Sequence, residues 1–219
     1  MRLSLERHGF GNLELDPTAL IRTDWFPGLG VLFHKSAWIG NLENEWPVWD
    51  SVEWGYDHWL RYRSTIIRSK DCLAPEVPRT HHFAQRGMHG RGSHARIYDR
   101  MVLADGEAGI ASHAVDLFSD PMAVRAHFQK IIKDSTEVQF EDLEPSKLDR
   151  FMSRNVVYYF ENNGDLRSPS LASQICRKFQ IYPDEFRMKF RGLLSFKIKQ
   201  TATVVTIVAK SMRDYWLDN

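Results

Sequence analysis

Two apolar segments near the end of the chain, Leu193-Leu-Ser-Phe-Lys-Ile-Lys199 and Thr203-Val-Val-Thr-Ile-Val-Ala209, are separated by a short polar turn. Segments that alternate or run apolar over six or seven residues suit a pleated strand, and two joined by a short turn form a hairpin. Such a ribbon needs more strands or a helix against its apolar face. The chain provides both. Val156-Val-Tyr-Tyr-Phe160 reads as another strand. Residues 121–133 read as a helix, with Pro121 in the first turn and Val124, Phe128, Ile131 and Ile132 along one side. Ser168-Pro169 opens a further helix through Leu171, Ile175, Phe179 and Ile181. Strands mixed with helices place the chain in the α/β class.

Composition narrows the function classes. The 219 residues make one large domain or a domain and a half, enough to bury a real core. Hydrophobic residues are 43% and charged residues 26%, a globular balance. The net charge of +1 provides no bulk attraction to nucleic acid or an anionic membrane. No apolar run approaches bilayer length, and Met-Arg-Leu-Ser-Leu-Glu-Arg-His at the start lacks the apolar stretch of a secretory signal. At face value the chain reads as soluble and cytosolic. Cys72 and Cys176 read as two buried thiols or as one disulfide, and their spacing does not decide between these.

The first half is less regular. Residues 12–30 read as short extended pieces and turns closed by Pro27-Gly28-Leu29-Gly30. Residues 31–45 carry a broadly helical apolar pattern that Trp46-Pro47 ends. A helix is predicted over 50–64, with Asp50 or Ser51 as its cap and Trp54, Trp59 and Leu60 on its apolar side. Residues 71–83 look extended. Gly87-Met-His-Gly-Arg-Gly-Ser-His94 is a loop, 95–103 resume an apolar pattern, 104–120 read as a surface excursion, and 134–149 as a charged connection. Six of the seven tryptophans lie between Trp25 and Trp59, which fits an aromatic core, an aromatic wall for a sugar, or both.

Three places can carry chemistry. On the predicted helix, Asp57 follows Glu53 by one turn, so the two carboxylates share a face. That is a solvated acidic face or, with Tyr56 and Trp59 beside it, a partly desolvated general base. The Pro27–Gly30 turn can present backbone to a ligand. Arg91 and Gly92 could serve a pyrophosphate, although a lone Gly-x-Gly is a weak sign. His81, His82, His89 and His94 lack the i, i+4 spacing of a helical zinc pair and have no cysteine cluster nearby.

Three segments in this order, Arg22-Thr-Asp-Trp-Phe-Pro-Gly-Leu-Gly30, Tyr56-Asp-His-Trp-Leu-Arg61 and Cys72-Leu-Ala-Pro-Glu-Val-Pro-Arg-Thr80, resemble the catalytic half of the N-acetylglucosaminyltransferase I family and the related protein O-linked-mannose enzymes. The resemblance is specific over residues 16–99, general over 100–165, and visible again in a closing helix and hairpin over 166–210. It implies that residues 1–219 are a partial catalytic domain: the C-terminal, acceptor-side half of a glycosyltransferase A-type fold with a C-terminal β-hairpin. It also implies inverting transfer of N-acetylglucosamine from UDP-GlcNAc to a mannose of a glycoprotein glycan in β-1,2 linkage, on an N-glycan or an O-mannose chain, the former preferred. By the same resemblance Asp57 is the catalytic base, and Leu29, Tyr56 and Ser93 are substrate-binding positions. Tyr56 stands where tryptophan is usual, and Ser93-His94-Ala95 matches a Ser-His-Gly segment only with a short insertion. The cysteine at the place of Cys72 pairs in that family with one well upstream, which here would fall at or before Met1.

The resemblance also implies manganese, held with the diphosphate by a Glu-Asp-Asp segment, and a Golgi membrane enzyme facing the lumen. No such acidic segment precedes Pro27. The uridine site, metal site and membrane anchor are therefore expected upstream of Met1. The bare half is expected to transfer no sugar alone, and to aggregate through exposed strand edges and an uncovered core. The competing readings are a non-catalytic carbohydrate-binding remnant and a metal-dependent hydrolase built on the histidines.

Overall fold

A computed structural model describes residues 13–26, 32–47, 55–68, 70–79, 102–161, 171–181 and 189–218, without the side chains of Asp57, Ile66 and Arg68. The main sheet runs in the order β1 (Leu13–Glu14), β6 (Leu193–Ile198), β7 (Val204–Ala209), β5 (Asn155–Phe160) and β4 (Thr136–Glu137). The expected hairpin is β6–β7, paired antiparallel with Leu194 opposite Ile207 and Phe196 opposite Val205. β5 lies parallel to β7, with Val157 opposite Thr206 and Phe160 opposite Ala209, and β4 continues parallel beside β5. The result is a mixed α/β architecture.

Strand alternation sorts the side chains to two faces. Val156, Tyr158, Phe160, Leu194, Phe196, Val205 and Ile207 face one way and meet Ala172, Ile175 and Phe179, on or just after the helix Leu171–Lys178. Val157, Tyr159, Leu193 and Val208 face the other way, towards Val124 and Ile132 of the helix Pro121–Lys133 and Trp216 of the final helix Arg213–Leu217. Both faces of this sheet are thus covered, contrary to the uncovered core expected from the sequence. Its two edge strands, β1 and β4, are each two residues long, and short edge strands are one way in which a sheet edge is made a poor template for another chain. The helix Pro121–Lys133 starts as its sequence dictates: the Asp120 carboxylate accepts from the Met122 amide at 2.8 Å, Pro121 needs no partner for a missing N–H, and Lys130 and Lys133 lie in the last turn.

A two-stranded ribbon packs beside this body. It pairs β2 (Leu20–Thr23) antiparallel with β3 (Cys72–Pro75), with Thr23 opposite Cys72. β3 is the strand inside the stretch 71–83; Glu76 and Val77 form a bend, and 80–83 lie outside the described residues. Cys72 is half-buried, Cys176 is buried, and the two form no disulfide with each other.

Two sequence expectations fail here. Residues 112–119 of the supposed surface excursion form a helix that packs on β2. Ala114 is buried there, and the Ala111 amide donates to the Thr18 carbonyl at 2.9 Å. The other failure lies in 31–45, where the helix is broken. Lys35–Ala37 and Glu43–Glu45 flank Ile39 (φ −64°, ψ 125°) and Gly40 (φ 70°, ψ −2°), the angles of a type II turn. Asn41 Nδ2 donates to the Ser36 carbonyl and Asn44 Nδ2 to the Gly40 carbonyl, which stabilises the break. The backbone turns out of helical space at Trp46 (ψ 123°), as Pro47 requires.

Candidate active site

The candidate base lies on a short helix, Tyr56–Tyr62, rather than on a helix over 50–64. Gly55 is its cap, at φ 87° and ψ 164°, a backbone region open in practice to glycine alone. Asp50 and Ser51 are therefore not its cap. Asp50, Ser51 and Glu53 lie outside the described residues, and with them the acidic face read from Glu53 and Asp57. Asp57 occupies the second helical position. Tyr56 is 43% exposed at the helix start. Leu29 and Ser93 lie outside the described residues, as do His81, His82, His89, Arg91, Gly92 and His94.

The other end of this helix grips Trp25 and Phe26, just before Pro27-Gly28-Leu29-Gly30, which lie outside the described residues. Arg61 Nε donates to the Phe26 carbonyl at 2.7 Å, and its guanidinium lies 5.3 Å from the centre of the Trp25 ring. Tyr62 meets Trp25 edge-on at 6.3 Å. Phe26 is buried with Leu42, Leu60 and Ile67, and Phe33, Trp46, Trp59 and Cys72 pack around them. Glu45 accepts hydrogen bonds from the Ser64 hydroxyl at 2.8 Å and from the Thr65 hydroxyl, so the broken helix is fastened to the end of this unit.

The tryptophans divide between core and wall. Trp25 is 7% exposed and belongs to the core. Trp38, Trp46 and Trp59 form a row, with centroids 5.1 and 5.9 Å apart. Trp46 and Trp59 are half-buried against Phe26 and Leu60, while Trp38 and its neighbour Ile39 are exposed. One side of the row completes a core and the other is available to an apolar sugar face. Trp49 and Trp54 lie outside the described residues.

Arg22, Thr23 and Asp24, noted in the sequence only as part of a matching segment, are the anchor of this site. Arg22 donates through Nε (3.0 Å) and Nη2 (2.8 Å) to Asp71 Oδ2, and through Nη1 to the carbonyls of Phe118 (2.9 Å) and Ser119 (3.1 Å). The Thr23 hydroxyl donates to the Lys189 carbonyl at 2.9 Å and accepts from the Trp25 amide at 3.0 Å. Asp24 accepts from Lys189 Nζ at 2.7 Å and from the Arg191 amide at 2.9 Å. These bonds join the ribbon to the loop that enters β6, across more than 160 residues of sequence. Asp71 and Lys189 had no signal in the sequence, because each acquires its role from a partner distant along the chain.

Among the described residues no three His, Cys, Asp or Glu side chains converge, so these residues do not fit a manganese site. Among the same residues no helix is long and apolar enough to cross a membrane.

The sequence profile of the GNT-I family matches residues 12–219, well beyond the segments on which the resemblance was specific. An alpha-1,3-mannosyl-glycoprotein 2-beta-N-acetylglucosaminyltransferase from Arabidopsis thaliana is 38% identical over 72 residues. That alignment covers 33% of this chain and only 15% of the plant protein.

Proposed function

This chain belongs to the GNT-I family, and on that premise we propose that it forms the acceptor-side half of a glycosyltransferase A-type enzyme. The enzyme moves N-acetylglucosamine from UDP-GlcNAc to a mannose of a glycoprotein glycan, in β-1,2 linkage and preferably on an N-glycan. The observation that carries this reading is the docking of the helix bearing Asp57 onto Trp25 and Phe26, at the entrance to Pro27-Gly28-Leu29-Gly30.

The chemistry needs a single protein carboxylate. Asp57 takes the proton of the mannose hydroxyl as that oxygen bonds to the anomeric carbon. The bond from that carbon to the diphosphate oxygen breaks, UDP leaves on the opposite face with the electron pair, and the configuration inverts. Leu29 and Ser93 lie against the donor, and Tyr56 contributes an exposed ring beside the base. The complete enzyme works in the Golgi lumen.

The decisive variant is Asp57→Asn in a full-length protein that carries this chain. Transfer should fall at least about a hundredfold, the scale of a lost general base, while UDP-GlcNAc still binds. Retained transfer would remove Asp57 from the mechanism. The half-exposed Trp38–Trp46–Trp59 row favours a second reading, a carbohydrate-binding remnant without catalysis. Equilibrium binding of mannose-terminated glycans with no need for a UDP-sugar, together with absence of transfer by the full-length protein, would select it.

A further inference from the structure

We propose that Arg61 is a positioning residue for this transfer: it fixes the helix that carries the base to Trp25 and Phe26, which directly precede the segment Pro27-Gly28-Leu29-Gly30 assigned to the donor. The inference rests on the assignment of Asp57 as base. Asp57 and Arg61 are four residues apart on the helix Tyr56–Tyr62, so the two positions share a helix face, about 6 Å apart along the axis. From that face Arg61 reaches the Phe26 carbonyl at 2.7 Å. The carbon of that carbonyl is bonded to the nitrogen of Pro27, so the hydrogen bond holds the peptide link directly before the donor-assigned segment Pro27-Gly28-Leu29-Gly30. One side chain thus connects the two parts of the site to which the chemistry is assigned.

The surroundings leave the joint little freedom. The Arg61 guanidinium lies over Trp25, which Tyr62 meets from the same helix end. Phe26 is 5% exposed, so its carbonyl has little water to fall back on. On the other side, Thr23 and Asp24 hold the preceding residues to Lys189 and Arg191. The Arg22–Asp24 anchor fixes where Trp25–Phe26 sits, and Arg61 fixes the helix to it. Arginine suits the task because one planar group donates from Nε and stacks on a ring; a lysine ammonium is a point charge that cannot reproduce both.

The test is kinetic and uses a full-length protein that carries this chain. Arg61→Lys and Arg61→Ala are compared with wild type for unfolding midpoint, donor dissociation constant and kcat. In Arg61→Lys the midpoint should move by no more than about 4 °C, the shift expected for loss of about one net hydrogen bond. Donor affinity should stay within about threefold, and kcat per folded molecule should fall about 10- to 100-fold, the scale of a misplaced catalytic group. Wild-type kcat in the lysine variant, or activity in both variants that falls only in step with the folded fraction, would overturn the proposal. Asp57→Asn measured alongside separates the two failures. Full transfer by that variant removes the base, and with it the register that Arg61 is said to set. Loss in Asp57→Asn with none in Arg61→Lys overturns the positioning role alone.

Discussion

Replacing Asp71 with alanine should destabilise the protein far more than an ordinary charge deletion. The Asp71 side chain is 11% exposed and the Arg22 side chain 13%. Both Nε and Nη2 of Arg22 are satisfied by one Asp71 oxygen, and Arg191 stands 3.7 Å from the other. Without the carboxylate, the guanidinium keeps the Phe118 and Ser119 carbonyls on Nη1 and the Phe190 ring, 5.6 Å from its centre, but loses its counter-charge while remaining largely out of water. Breaking one side of a buried ion pair costs about 3–5 kcal/mol, against about 0–1 kcal/mol for an exposed pair. For a chain of this size that is about 6–20 °C in melting midpoint. Urea unfolding followed by tryptophan fluorescence measures it directly. Asp71→Asn, which keeps an acceptor oxygen but not the charge, should lose less. Replacing both partners with apolar residues of similar volume should cost less than the two single changes summed. An Asp71→Ala cost below about 1 kcal/mol, or strict additivity in the double variant, would show that the pair is solvated and does not tie β2 to the start of β3.

Two further outcomes test the local reasoning. Gly55→Ala forces a side chain into φ 87°, ψ 164° and should cost about 1–3 kcal/mol by urea titration; a neutral result would mean that the helix Tyr56–Tyr62 does not need this cap. The Asp16 carboxyl is held below its ordinary value of 3.8, first by the Thr18 hydroxyl and then by the Thr18 amide, both hydrogen-bonded to it. A carboxylate depressed on folding stabilises above its unfolded pKa, and that contribution is lost as pH falls through the folded value. Thr18→Val should therefore lower the melting midpoint at neutral pH and narrow its gap from wild type below about pH 3.8. A gap that is constant across this range would exclude the linkage.

The elements that were legible in the sequence are those whose cause is local. The hairpin Leu193–Ala209 has alternating and β-branched residues on both arms, and it pairs as expected. The helix Pro121–Lys133 has its cap, its first-turn proline and its apolar side within thirteen residues. The helix Ser112–Ser119 was missed for the converse reason. It is only eight residues long and follows Gly106 and Gly109, and it packs on β2, about ninety residues earlier, and on the helix Pro121–Lys133. The break at Ile39–Gly40 was also missed, because an isolated glycine within a helical pattern is compatible with a continued helix.

For the candidate site, the sequence by itself determined the ingredients. The order of three segments identified the family, nominated Asp57, Leu29, Tyr56 and Ser93, and located the aromatic concentration between Trp25 and Trp59. It could not show that Arg61 bonds to the Phe26 carbonyl, that Arg22 and Asp71 form a shielded ion pair, or that Lys189 and Arg191 converge on Asp24. It also misplaced the start of the helix that carries Asp57. The physical reason is one of range. Patterns of turn, cap and alternation are set by neighbours within a few residues, whereas a side chain's partners depend on which distant segments the sheet brings together, and only the tertiary structure decides that.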